Sequence, residues 1–460
     1  MSRKRTTTAR ALAVSVLNRF ETQANYAADI LNSRISELPE RAQRQRATDL
    51  VFGSIRNRSA IDAVITKLAD CPIERIEPKI VNILRSACYE LIYCPGTPEY
   101  SIVNEAVETA KAAAGKKQAG FVNAVLRKIT RHITNRQTGL SKAEPQKIIP
   151  LNPSIGCEFD LVVLPDIKSS PADFFSIAFS LPVWLVEKWL EEFGTESTRQ
   201  ICFSSNRRPS IYIRANTLKT TALKIAENLL QAGIECEVTD NKSMLRVKSG
   251  SAVTELPGFE RGDFTVQDIT AAQAVRLLNP QPGSRILDSC AAPGTKTTQL
   301  AEVTFDKAKI FAADIDRQRL QKAEENISRL GVKSVTIVHY EDIEKIVEEE
   351  KFDCVLLDVP CSNTGVLSKR PEARFRITQK AVKKLTETQM QLLTRAAGMI
   401  KTGGKICYST CSIQPQENNL LLGKFLSNNA DFTVETEKLT LPAAGDFDRD
   451  GGYVAVIKHL

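Results

Sequence analysis

From about residue 266 onward this 460-residue chain alternates short apolar runs with helix-period segments, and few folds accept that rhythm. The runs are SRILDSC, AKIFAADID, SVTIVHY, FDCVLLDVP and GKICYSTCS, separated by segments such as QRLQKAEENISRLG. Strand, helix and strand repeated in this way imply a doubly wound parallel sheet with helices on both faces. Ligands of such sheets bind beyond the carboxyl ends of the strands, near the point where strand order reverses, so the residues that end each strand are the ones to inspect.

The rest of the chain reads differently. Residues 1–133 carry apolar positions at i, i+3, i+4 and i+7 in TARALAVSVLNRF, QRQRATDLVFGSIRNRSAIDAVITKL, PKIVNILRSACYELIY, SIVNEAVETAKAAA and GFVNAVLRKITR, which predicts an all-α unit. Residues 134–178 are dense in Pro and Ser and lose periodicity, so a linker or insertion is expected there. Residues 179–265 mix helical LPVWLVEKWLEEFG and TALKIAENLLQAG with strand-like IYIRANT, IECEVTD and MLRVKSG, a small α+β connector. The α/β domain then occupies 266–460, and no internal repeat is evident.

Composition excludes several classes. The eleven cysteines are scattered from Cys71 to Cys411 without a C-x-x-C pair, and only three histidines are present, so neither a metal site nor a disulfide scaffold is expected. The basic start MSRKRTTTAR has no apolar run behind it and no stretch approaches the roughly 18 apolar residues that span a bilayer, so a cytoplasmic protein with no membrane partner is expected. A net charge of +8 is compatible with a polyanionic partner.

The first strand ends in Asp288 and runs into Ser289-Cys290-Ala291-Ala292-Pro293-Gly294-Thr295-Lys296. Small residues and a glycine let backbone approach a ligand, although they also end strands for packing reasons. Asp314 ends the second strand about 26 residues later, where a carboxylate can accept from ribose hydroxyls. The loop lacks both G-x-G-x-x-G and G-x-x-x-x-G-K-[ST], which leaves an adenosine without a phosphate chain as the better fit. Asp342, after the third strand, can meet an adenine amino group or cap the next helix.

The fourth strand ends in Asp358-Val359-Pro360-Cys361 and the fifth in Tyr408-Ser409-Thr410-Cys411, so two cysteines 50 residues apart should share the rim with the loop. A thiolate there suits cytosine C5, a poor carbon nucleophile: addition at C6 makes C5 enamine-like and able to attack a methyl sulfonium. The C5 proton must then leave before the thiolate is eliminated, and a second group can assist. Asp358 is placed to hydrogen-bond the base at N3 or N4.

LDSCAAPGTKT, DVPCSNTGV and YSTCS, in this order, resemble the Sun class of RNA 5-methylcytosine methyltransferases. ARALAVSVL, ATDLVFGSIRNR, ILRSACYELIY, VNEAVETAK and GFVNAVLRKI resemble a NusB-type RNA-binding domain, and IYIRANTLKT with GDFTVQDITAAQAV resembles the segment joining the two. The combination is similar to the bacterial ribosomal RNA small-subunit methyltransferase B family, also called Sun or Fmu, over most of the chain apart from 134–178. The resemblance implies a multidomain protein with an all-α NusB-like N-terminal domain, the α+β connector and a C-terminal α/β Rossmann-like methyltransferase domain. It implies Cys411 as nucleophile and Cys361 as the group assisting release, with Asp358 beside them; DNA enzymes use the Pro-Cys cysteine, so the reverse assignment stays open. It implies S-adenosylmethionine as cofactor, held by Cys290, Ala291, Ala292, Pro293, Gly294, Thr295, Lys296, Asp314, Asp342 and Asp358. Two departures stand out: Pro-Gly-Thr-Lys replaces Pro-Gly-Gly-Lys, so Thr295 must take a conformation that glycine eases, and Asn363 stands where glycine is frequent.

The partner implied is ribosomal RNA, presented as a single-stranded or extruded cytosine because C5 and C6 are reachable only in an unstacked base. The run Leu367–Arg376 can hold phosphates and stack a base, or be a solvated turn; Arg41, Arg44, Arg46, Arg56 and Arg58 can form a basic face, or be ordinary helix-surface residues. A monomer is expected. The alternatives are methylation of another RNA, such as tRNA, or of DNA by the same chemistry, and a catalytically silent RNA-binding or antitermination scaffold.

Overall fold

The structure, a computed structural model, describes residues 8–23, 26–248, 252–445 and 447–460. The basic residues Arg3, Lys4 and Arg5 and the end of MLRVKSG lie outside the described residues. The chain divides into two compact units, Met1–Arg207 with Arg370–Arg376, and Arg208–Lys369 with Ile377–Leu460.

In the first unit seven helices follow one another: α1 Ala9–Thr22, α2 Ala27–Asn32, α3 Arg41–Arg56, α4 Arg58–Ala69, α5 Pro78–Tyr93, α6 Glu99–Ala114 and α7 Lys116–His132. The apolar stripe read from the sequence is the buried one; on α1 it is Leu12, Ala13, Val16 and Leu17, and the Thr8 hydroxyl caps the first turn by accepting from the Ala11 amide. Helix α5, opened by Pro78, is buried on nearly every side from Ile80 to Ile92. Its polar residues are therefore paired, Arg85 with Asp62 at 2.8 Å and Glu90 with Arg10 and Arg46.

Residues 134–178, expected as a linker or insertion, carry secondary structure of their own: a three-stranded antiparallel sheet, β1 Ile133–Gly139, β2 Ile148–Pro150 and β3 Ile155–Phe159 in the order β1-β3-β2, followed by α8 Pro171–Phe179. The sheet is tied down by Arg136, whose guanidinium donates to the carbonyls of Glu90, Leu91, Cys94, Pro95 and Thr97 at and just past the end of α5, satisfying acceptors that a helix terminus leaves open. Helix α9, Val183–Asn206 with a break at Gly194 (φ 72°), falls in the same compact unit as α8, and Phe203 on it packs edge-on against Phe179.

Arg370–Arg376 packs within the helical unit, and Arg374, 1 % exposed, donates to the carbonyls of Arg56, Phe179 and Ser205 and to Asn206 Oδ1. These lie at the carboxyl ends of α3, α8 and α9, so one guanidinium serves three helix termini, and its burial pulls its pKa down to about 9. Phe375 has the Arg58 guanidinium 5.3 Å from its ring centroid, and in the run Leu367–Arg376 the cations Arg370 and Arg376 are exposed while Arg374 is buried. Of the arginines of α3 and α4, Arg41 is exposed, Arg44 donates to the Leu38 and Pro39 carbonyls, Arg46 pairs with Glu90, Arg56 is buried, and Arg58 pairs with Glu21.

The second unit begins with β4 Ile211–Ala215, α10 Ala222–Gln231, β5 Cys236–Val238, β6 Met244–Val247 and β7 Phe264–Val266, an antiparallel sheet of order β5-β6-β4-β7. After α11 Gln273–Leu278 come β8 Arg285–Asp288, α12 Thr295–Val303, β9 Lys309–Asp314, α13 Arg317–Leu330, β10 Val335–His339, α14 Ile343–Glu349, β11 Phe352–Asp358, α15 Gln379–Met399, β12 Ile400–Thr410, α16 Asn419–Ser427, β13 Phe432–Thr440 and β14 Gly452–His459. The seven strands are ordered β10-β9-β8-β11-β12-β14-β13; the first five are parallel, and β14 and β13 extend that edge antiparallel. Neighbouring residues on a strand enter opposite cores, Ile286 and Leu356 one, Leu287 and Leu357 the other, which is why the strands read as continuous apolar runs. Strand order reverses between β8 and β11, and the candidate residues end those strands.

Candidate active site

Beyond β8, Asp288 is fully buried; burial pushes its pKa up to about 7, against the pull of the Thr297 hydroxyl that donates to it at 2.7 Å. Asp314, at the end of β9, braces the loop from the side, one oxygen accepting from the Ala292 amide at 3.1 Å and the other from Asp316 at 2.9 Å. Arg319 donates to the Ala292 carbonyl at 2.7 Å and Asn326 to that of Pro293 at 3.0 Å. Gly294 has φ 93°, and a Cβ there would sit 3.2 Å from Ala323 Cα, so glycine is needed on two counts. Thr295 is the first residue of α12 with a helical backbone, so the substitution that replaces a second glycine imposes no strain.

Burial pushes the Cys290 thiol up strongly, and the carboxylates of Asp288, Asp358 and Asp314 add to it. A loop surrounded by three carboxylates suits a cationic ligand with hydroxyls and repels a phosphate chain. Asp342 lies past the end of β10, 44 % exposed, with its carboxylate turned to Lys345 at 2.9 Å.

Lys296 reaches from the loop to Asp358, Nζ to Oδ2 2.6 Å. Burial pulls this ammonium down, but Asp358 outweighs it and holds the pKa above the ordinary lysine value. The other Asp358 oxygen accepts from the Ser409 hydroxyl at 2.9 Å. Lys296, Asp358 and Cys411 line one cavity of about 80 Å³, together with Asp268, Gln273 and Asp450, which sequence reasoning did not single out. Lys369 bridges the two added carboxylates, 2.7 Å from each.

Cys361 follows β11 and Cys411 follows β12, adjacent parallel strands in register from Cys354 with Lys405 to Asp358 with Ser409. That pairing brings the two sulfurs to 2.9 Å of each other, and both cysteines are free. The Cys361 thiol is held well above its ordinary value, first by its hydrogen bond with Cys411, then by burial, then by the charges of Cys411 and Glu417. Cys411 Sγ lies 3.2 Å from Asn363 Oδ1. Asn363 adopts φ 61°, a left-handed conformation that asparagine tolerates better than most residues, which accounts for its standing where glycine is frequent.

Among the described residues no group of three or more His, Cys, Asp or Glu is placed to hold a metal ion, and no helix is long and apolar enough to cross a membrane.

The family model of the 16S rRNA methyltransferase RsmB/F matches residues 275–452, that of the NusB family residues 7–131, and that of the ferredoxin-like domain of RsmF/B-like methyltransferases residues 181–254. The chain is 32% identical over 457 residues to the probable ribosomal RNA small subunit methyltransferase B of Synechocystis sp., covering 98% of this chain and 96% of that one. It is 30% identical over 410 residues to the ribosomal RNA small subunit methyltransferase B of Escherichia coli K12, covering 87% of each. The crystal structure of PH0851 shares the fold, with a TM-score of 0.75, 23% identity and 98% of each chain covered. The helical, ferredoxin-like and methyltransferase segments therefore come in the order of one family across nearly the whole length, and this chain belongs to the ribosomal RNA small subunit methyltransferase B family.

Proposed function

We propose that this ribosomal RNA methyltransferase modifies cytosine at C5 in 16S RNA, using S-adenosylmethionine and a covalent adduct between Cys411 and the base. The observation that carries this reading is the 2.9 Å approach of the Cys361 and Cys411 sulfurs beside the Lys296–Asp358 pair. S-Adenosylmethionine supplies an electrophilic methyl group on a sulfonium, and the carboxylate-ringed loop Cys290–Lys296, with Asp314 and Asp342, has the chemistry to hold its ammonium and ribose. Cys411 adds its sulfur to C6 and thereby raises electron density at C5. Asp358, fixed by Lys296 and Ser409, bonds the N3–N4 edge and steadies the added base. Once the methyl group is on C5, that carbon gives its proton to water, the C5–H electron pair re-forms the C5–C6 double bond, and the C6–S bond breaks with its pair returning to Cys411 as thiolate. Cys361 assists this last stage from beside the departing sulfur.

The test is Cys361→Ala incubated with unmodified small-subunit RNA and labelled S-adenosylmethionine. A methylated RNA–protein species that survives denaturing electrophoresis is expected to accumulate, with multiple-turnover rate falling by about 10²-fold or more. Normal turnover without trapped species would overturn the assignment of release to Cys361.

The RNA has a suitable surface on the helical unit. Helix α7 contains no acidic residue and exposes Lys116, Lys117, Arg127, Lys128 and Arg131, none of which makes an ion pair among the described residues. Replacing Arg127, Lys128 and Arg131 together by Gln should weaken RNA binding and reduce the slope of log affinity against log salt by about 2, given roughly 0.7–0.9 per phosphate contact. An unchanged slope would remove α7 from the binding surface.

A further inference from the structure

Glu417 is an acidic side chain of the second unit that is buried with no ion pair among the described residues. Glu417, in the turn before α16, has no measurable exposure. Its Oε1 accepts from the Ser362 amide at 2.9 Å and from Gln389 Nε2 at 3.0 Å, and its Oε2 accepts from the Ser362 and Ser412 hydroxyls. Ser362 follows Cys361 and Ser412 follows Cys411, so one carboxylate joins loops that are 50 residues apart in sequence. Gln389, from α15, also donates to the Pro360 carbonyl at 2.8 Å and so backs the same turn. The strap is doubled by Thr364, whose hydroxyl accepts from the Ile413 amide at 3.0 Å.

Burying a carboxylate is costly unless its lone pairs are filled, and four donors fill these. A structural joint between two loops needs no charge; hydroxyls and amides alone would make one. What a charge adds is a field, and the thiol of Cys361, one residue before the strapped Ser362, lies within it.

We propose that Glu417 is a positioning residue of the methyl-transfer reaction: it fixes the register of the two sulfurs and divides their labour, leaving Cys411 as nucleophile and Cys361 as its neutral partner. The strong upward push on the Cys361 thiol, to which the Glu417 charge contributes, agrees with this division. The inference rests on the covalent reading above, since without an adduct there is no labour to divide.

Glu417→Gln keeps the size and one accepting oxygen while removing the charge. Its kcat is expected to fall by about 10–100-fold with KM for RNA unchanged, the cost of misplacing reacting groups by a fraction of an ångström to an ångström. In a Cys411→Ala background, the pH at which Cys361 becomes reactive toward methyl methanethiosulfonate should move to lower pH when Glu417 is Gln, a readout that requires no catalysis and that loosening of a purely structural joint, which changes only the plateau rate, would not move. An unchanged kcat overturns the proposal; so does a lowered kcat with an unchanged pH profile of Cys361 modification. If Glu417→Gln does not fold, Ser412→Ala, which removes one donor to the same carboxylate, should lower kcat with KM unchanged, and no change would again overturn it. If Cys411→Ala in the otherwise unaltered protein still methylates, the covalent reading itself has failed, whatever Glu417 does.

Discussion

Cys411→Ala is expected to lose methyl transfer on the order of 10⁴-fold or more and to form no denaturation-resistant complex with RNA, because the nucleophile and every later step depend on one sulfur. RNA affinity should stay near that of the unaltered protein, since the side chain lines a small cavity and the cationic face of α7 is untouched. Single-turnover rates with labelled S-adenosylmethionine measure the loss directly. Residual activity above about one per cent would show that Cys411 is not the nucleophile. Equal loss in Cys361→Ala with no trapped species, together with an active Cys411→Ala, would reverse the two roles, and the 2.9 Å between the sulfurs means that geometry alone permits either direction.

The second large effect lies away from the reacting atoms. Arg214 on β4 is 2 % exposed and pairs in a fork with Glu302 of α12, at 2.7 and 2.8 Å, while also donating to the Thr295 carbonyl at 3.0 Å and to Thr298 at 3.1 Å. It joins the small antiparallel sheet to the helix that follows the candidate cofactor loop. Burial pushes Glu302 up, and Arg214 pulls it back; removing Arg214 leaves an unpaired buried carboxylate. Arg214→Met should therefore destabilise the second unit by about 3–5 kcal/mol, read from denaturant unfolding of the full chain, and Arg214→Met with Glu302→Leu should recover much of that loss. A single variant as stable as the parent, or a double variant no better than the single, would contradict this account of the joint.

The parts legible in the sequence are those that local pattern controls. Strands buried on both faces must be apolar throughout, so Ile286–Leu287 and Val355–Leu356–Leu357 announced themselves, and the residues just past them, Asp288, Asp358, Cys361 and Cys411, could be placed on one rim. What remained hidden depends on partners far along the chain. Glu417 follows a proline and precedes an apolar helix, where an acid is ordinary; only the fold shows that it faces two cysteine loops. Arg374 sits in a run that looks like a solvated cationic loop, yet its donors meet three helix ends separated from it by 318, 195 and 169 residues. Within 134–178, β2 and β3 are three and five residues long with prolines in or near them, β1 is polar after Ile133 and so shows no alternation, and their anchor is a single arginine, Arg136. Lys296 was legible as a loop residue but not as the partner of Asp358, because that pairing is set by how β8 and β11 lie side by side.

The most direct measurement is the identity of the methylated nucleoside. Unmodified small-subunit RNA is incubated with the protein and labelled S-adenosylmethionine, digested to nucleosides and separated by chromatography with mass detection. Label in 5-methylcytidine, absent with Cys411→Ala, is the predicted result. Label in any other nucleoside, or in 5-methylcytidine made equally well by Cys411→Ala, would contradict the central claim.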